Sequence, residues 1–148
     1  MKSEPSAYSI EDLKKDKETF WSGVRNYQAR NFMRDIMQVG DGVLFYHSNI
    51  DPVGIAGMAE VVRSGYPDYT AWDPKDKHYD PKSNPAQPIW YMVDIQFVKA
   101  CHRIITRQRL RDIPHLLKMG VLRQGNRLSV QPVTENEWEA IIHLSEWR

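Results

Sequence analysis

The residues with the greatest chemical potential lie in one run, Trp21-Ser22-Gly23-Val24-Arg25-Asn26-Tyr27-Gln28-Ala29-Arg30-Asn31. It interleaves aromatic rings with guanidiniums and carboxamides. That mixture suits a nucleobase: a ring face on which the base stacks, amides that read its Watson–Crick edge, and arginines for phosphate. Stacking on an aromatic side chain contributes about 1–3 kcal/mol per base. In the competing reading Phe20 and Trp21 are core anchors and the polar residues cap a helix; residue types alone do not separate the two.

Other chemistries find less support. A metal site needs ligands at short, face-matching spacings. The histidines His47, His78, His102, His115 and His143 are scattered, so the sequence predicts no metal and no cofactor. His47 and Ser48 are adjacent, but consecutive side chains on a strand point to opposite faces and cannot form a Ser–His pair. Gly54-Ile55-Ala56-Gly57 precedes no lysine and is no phosphate loop. No catalytic residues are therefore expected. The alternatives are an enzyme acting on RNA, DNA or a nucleoside, with Glu4, His47, Asp73 and Asp80 as acid–base groups, or a pocket for a small metabolite.

The elements that must position these residues follow from pattern. Ser9-Ile10-Glu11-Asp12 has the form of a capping box and opens a helix that ends near Asp16. Asn26 caps a second helix, Tyr27–Met37, whose Ala29, Phe32, Met33, Ile36 and Met37 recur at helical spacing. Strands are predicted over Val43–Ser48, Gly54–Arg63 and Ile89–Val98, with a brief one at Arg127–Val130. Thr106 caps a short helix to Asp112, Pro114 starts another to about Met119, and Thr134-Glu135-Asn136-Glu137 boxes the start of a closing helix. Between Ser64 and Pro88, prolines interrupt a polar run carrying Tyr66, Tyr69, Trp72 and Tyr79, which is expected to be a binding loop or lid. There is no repeat, linker or regular β-α-β alternation. The expectation is a single α+β domain over residues 1–148: a small, partly closed β-barrel flanked by helices.

Composition bounds the rest. At 148 residues, with 41% hydrophobic and 26% charged, the chain supports one core without disulfides or metal. The net charge of +1 announces no polyanion, yet Phe97–Arg127 holds eight basic residues and one acid, Asp112. A single cysteine, Cys101, fits a reducing compartment. No apolar run spans a bilayer and the N-terminus has no secretion signal, so a cytoplasmic monomer without a membrane partner is expected.

Taken together, Lys2-Ser3-Glu4-Pro5, the Trp21–Asn31 run, Phe45-Tyr46-His47-Ser48-Asn49 and Gly54-Ile55-Ala56-Gly57 resemble the EVE domain family, as do Tyr66-Pro67-Asp68, Met92–Phe97 and Arg127–Pro132. The resemblance covers essentially the whole chain, and without a basic N-terminal extension it is similar to a stand-alone, prokaryote-type member. It implies a fold similar to PUA and YTH domains. It also implies binding of DNA or RNA through a modified, methylated or similar base flipped into an aromatic pocket. Extruding a base costs a few kcal/mol, offset by stacking and edge hydrogen bonds. A buried methyl adds on the order of 0.8 kcal/mol. By this resemblance Trp21 is a stacking wall and Ser3 the pocket floor. Asn26 reads the base edge with Ser22 supporting and Tyr27 nearby, while His47 and Ser48 border the cavity. A second wall comes from Trp72 or Tyr79. Arg25, Arg30 and Arg127 meet phosphate, although Arg25 and Arg30 serve equally well as internal ion-pair partners.

Overall fold

The structure is a computed structural model that describes residues 1–147. Strands β1 (Lys2–Ser3), β2 (Glu18–Trp21), β3 (Gly42–His47), β4 (Gly54–Pro67) and β5 (Tyr91–Thr106) form one sheet in the order β1-β3-β4-β5-β2. β1 runs parallel to β3 and every other pair is antiparallel. Helices α1 (Ile10–Asp16) and α2 (Tyr27–Asp35) pack on β5, and α2 reaches β4 as well. Helices α3 (Arg107–Arg111) and α4 (Glu135–Ile142), with 3-10 turns at Pro114–Leu116 and Gly120–Leu122, gather at the far end of the sheet.

Local chemistry sets the helix starts. Both capping boxes form: the Ser9 hydroxyl accepts from Asp12 N–H while the Asp12 carboxylate accepts from Ser9 N–H, and Thr134 and Glu137 do the same for α4. Asn26 Oδ1 accepts from Ala29 N–H at 3.0 Å and so caps α2.

The sheet is buried on both faces where β3 crosses it. Val43 and Phe45 join Ile10, Leu13, Ala29, Met33, Val61 and Ile95 in one core. Leu44 and Tyr46, alternating with them, join Ile55, Ile105, Leu110, Leu116 and Ile141 in a second. One strand therefore serves two layers, and its run of large apolar residues on both faces has a packing cause.

Several expectations change. Strand β2 lies outside the expected elements: its four residues follow α1 almost at once and pair with β5 at the sheet edge, too short to show an alternation. β4 and β5 run to 14 and 16 residues through repeated register shifts, the largest of which lets the pairing resume at Ile105 after residues 101–104, which have no partner in β4. Arg127–Val130 is not a strand, although Ser129 C=O accepts from Lys2 N–H at 2.7 Å. No ladder among the described residues joins β1 to β2, so the sheet is open rather than a closed barrel.

The proline-rich segment is ordered by short acceptors. Asp68, Asp73, Asp76, Asp80 and Asn84 each accept the backbone N–H two residues on. Residues up to Pro67 belong to β4, a 3-10 turn follows at Tyr69–Trp72, and this chain of Asx turns folds the rest of the loop.

Candidate nucleic-acid interface

The open edges of the sheet face a common space. Lys2 and Ser3 of β1 and Thr19–Trp21 of β2 line one cavity of about 540 Å³, completed by Ser22, Tyr8, Ser129 and the loop residues Asp76–His78. The volume lies within the range of about 300–1,000 Å³ common for small-ligand pockets. Trp21 is half-buried: its indole meets Phe45 edge-on at 5.6 Å, which anchors it to the core while it lines the cavity. Ser3 Oγ donates to the Tyr8 carbonyl at 2.6 Å, and Ser3 C=O accepts from Ser48 N–H at 2.9 Å, which fixes the opposite side.

The loop wall is held from below. Gly23 has φ +81°, and a Cβ there would stand 2.6 Å from His78 Nδ1, so only glycine lets the imidazole lie against the backbone. Arg25 Nε and Nη2 both donate to the His78 carbonyl, at 2.9 and 2.8 Å. Arg25 Nη1 donates to the Val24 carbonyl and, at 3.0 Å, to Asp68 Oδ2. The fully buried Asp68 also accepts from Gly23 N–H and from the N–H and hydroxyl of Thr70. Burial alone would raise the Asp68 pKa; the bonds from Thr70, Gly23 and Arg25 outweigh it and hold the carboxyl below its ordinary range. Every acceptor on Asp68 is thus matched, and the clamp sets His78 in place. Asp76 Oδ1 stands 3.7 Å from His78 Nδ1, longer than a hydrogen bond.

The structure brings together Ser3, Trp21 and Ser22 and disperses the others. The Asn26 carbonyl oxygen is occupied as the α2 cap, and its side chain lines a neighbouring cleft. Tyr27 stands on the surface, stacked on Trp90 at 4.9 Å, with the Arg30 guanidinium 4.8 Å from its ring centre. His47 is buried and its Nε2 accepts from Ile10 N–H at 3.0 Å, a packing role that a neutral ring suits; burial lowers its pKa, against a smaller opposing pull from Glu11. Ser48, expected to close the strand, follows the last residue of β3 and lies outside the cavity lining. Trp72 donates Nε1–H to Ser83 Oγ and Tyr79 is exposed; neither lines the cavity, whereas His78 does.

Arg25 is engaged in the clamp, and Arg30 donates to Asn31 Oδ1 and the Ile89 carbonyl, so both serve internal contacts. Arg127 is exposed in the neighbouring cleft. Tyr8, His78 and Ser129 escaped the sequence reading because they come from three distant segments. The one local sign for His78 was the Asx spacing Asp76-Lys77-His78.

A second depression, about 550 Å³, lies between α2 and residues 130–135. Its lining includes Phe32 and Trp138 but also Asp41 and Glu135, which repel phosphate.

Among the described residues no group of three or more His, Cys, Asp or Glu side chains is placed to hold a metal ion. No helix is long and apolar enough to cross a membrane.

Comparison with known proteins places the whole arrangement. The EVE domain matches residues 1–144. Human thymocyte nuclear protein 1 is 42% identical over 164 residues, which cover 99% of this chain and 72% of the human protein. A Pseudomonas putida protein of known crystal structure superposes with a TM-score of 0.92 at 44% identity, over 96% of this chain and 95% of that one. The crystal structure of human THYN1 in complex with 5-methylcytosine-containing DNA superposes with a TM-score of 0.89 at 42% identity, over 96% and 93% of the two chains.

Proposed function

The chain belongs to the EVE domain family, and from that premise we propose that it is a binding protein for DNA carrying a methylated base, which it takes into the cavity beside Trp21. The observation that carries the reading is the convergence of Trp21, Ser3 and Ser22 on one cavity between the edge strands, faced by His78. The relative with solved structure bound to 5-methylcytosine DNA supports the ligand class.

In this reading a flipped base lies against the Trp21 indole. The serines and the His78 imidazole meet its polar edge, and the methyl group fills apolar space beside the rings. The extrusion cost of a few kcal/mol is offset by stacking and edge contacts. The methyl itself is worth about 0.8 kcal/mol when buried, a factor of about four in affinity. Arg127 contacts phosphate outside the cavity. β1 and β2 become the lips of a partly closed, PUA-like barrel, its gap being the base entrance.

Acid–base catalysis is the weaker reading, since His78 and Asp76 stand too far apart to relay a proton directly. The deciding experiment titrates DNA of one sequence, with cytosine or 5-methylcytosine at a single position, against the wild type and Trp21→Ala. The wild type is expected to prefer the methylated strand, and the variant to lose at least tenfold in affinity together with the preference. Equal affinity for all four pairings overturns the reading.

A further inference from the structure

We propose that the cleft next to the cavity is a subsite for the DNA strand flanking the extracted base, in which Arg123 and Arg127 hold backbone phosphates while Gln28 and Gln124 face the neighbouring base. The proposal rests on the reading of the Trp21 cavity and adds to it a second, sequence-sensing site.

The linings of the two depressions adjoin along the chain at two places. On one side the chain passes from Trp21–Val24 in the cavity to Asn26 and Gln28 in the cleft, and only Arg25, turned inward to its clamp, intervenes. On the other side Ser129 lines the cavity and Leu128 the cleft; as consecutive residues their Cα atoms are about 3.8 Å apart. The cleft, about 450 Å³, therefore lies beside the cavity, within reach of the strand that flanks a base held there.

Its chemistry matches a phosphodiester. Two guanidiniums line it and no carboxylate does. Arg25, Arg34 and Arg109 enter ion pairs, whereas Arg123 and Arg127 enter none among the described residues. Both project from a loop that is already fixed. Between them Gly125 turns the chain at φ +79°, and Asn126 pins it: Nδ2 donates to the Gly120 carbonyl at 2.8 Å and to Gln131 Oε1 at 2.9 Å, and Oδ1 accepts from Leu128 N–H at 2.9 Å. Fixing the loop in advance lowers the ordering cost of binding. The carboxamides of Gln28 and Gln124 carry the paired donor and acceptor that reads a base edge.

The test uses the intact chain and oligonucleotides with one 5-methylcytosine. First, the slope of log affinity against log salt is compared for the wild type and the Arg123→Gln/Arg127→Gln double variant. It should fall by about 0.7 per arginine on a single strand, or about 0.9 on duplex. Second, one neutral methylphosphonate linkage is placed immediately 5′ or 3′ of the 5-methylcytosine. The wild type should lose affinity on one side only, and the double variant on neither. Third, the neighbouring base is varied, and Gln28→Ala/Gln124→Ala should flatten the wild type's preference. Unchanged slope and unchanged linkage sensitivity in the arginine variant overturn the proposal, as does an equal loss from both linkage positions. Failure of the cavity reading is distinguishable: there the methylated and unmethylated oligonucleotides bind the wild type equally, whatever the slopes do.

Discussion

Arg25 offers the sharpest test of how the cavity is built, because its position in the sequence suits phosphate binding while its hydrogen bonds assign it to the loop wall. Consider Arg25→Ala. The change removes two bonds to the His78 carbonyl, one to Val24, and the ion pair to the fully buried Asp68. Removing one partner of a buried pair typically costs about 3–5 kcal/mol. Asp68 keeps its Gly23 and Thr70 donors and the Arg25 side chain is 20% exposed, so the lower end, about 3 kcal/mol, applies. For a chain of this size that lowers the melting temperature by roughly 6–12 °C. Arg25→Lys keeps the charge but not the fork and should fall between wild type and alanine.

The assay pairs thermal unfolding with salt-dependent titration of methylated DNA below the variants' melting range. The clamp predicts loss of stability and at least tenfold weaker binding through a displaced His78 wall, with the salt slope unchanged. A slope reduced by about 0.7–0.9 with stability intact would instead make Arg25 a phosphate ligand and refute the clamp.

Other outcomes follow from the same contacts. Gly23→Ala places a Cβ 2.6 Å from His78 Nδ1 at φ +81°, and should weaken methylated-DNA binding and destabilise the fold by about 1–3 kcal/mol in urea titration. Asn26→Ala should cost about 1 kcal/mol through the lost α2 cap and leave the ratio of methylated to unmethylated affinity unchanged, as measured by fluorescence anisotropy. Stability should fall below about pH 6.5, the ordinary imidazole value, because burial holds His47 below it and the unfolded chain then binds a proton that the fold refuses. His47→Gln, which can still accept from Ile10 N–H, should flatten the urea midpoint between pH 7 and 5. A further loss should come as acid protonates Asp68, whose lowered pKa confers stability only while it stays ionised.

Much of the frame was legible because its signals are local. Ser9, Asn26, Thr106 and Thr134 all accept from the N–H three residues on, as their types and spacing imply. β2 was hidden because four residues at an edge carry too little pattern, and the second half of β5 because its exposed positions are basic. At the cavity, Trp21 and Ser22 stand in a run whose residue types draw attention by themselves, whereas Ser3 is singled out only through the family resemblance; all three line the same cavity. Asn26 illustrates the limit: one side chain fits both a helix cap and a base reader, and only the 3.0 Å contact to Ala29 tells them apart. His78 becomes visible only through its contacts with Arg25, 53 residues earlier, and with Gly23 still further back, a distance that no local period encodes.

The most direct measurement of the central claim is the environment of the methyl group itself. An oligonucleotide with a ¹³C-labelled 5-methylcytosine methyl is titrated with the protein and followed by NMR. The methyl resonance should move upfield under the indole ring current and show cross-relaxation to Trp21 and Ser3 protons, and both signatures should vanish with Trp21→Leu. A methyl signal that stays at its free-DNA position when the complex is saturated would place the base outside the cavity and contradict the claim.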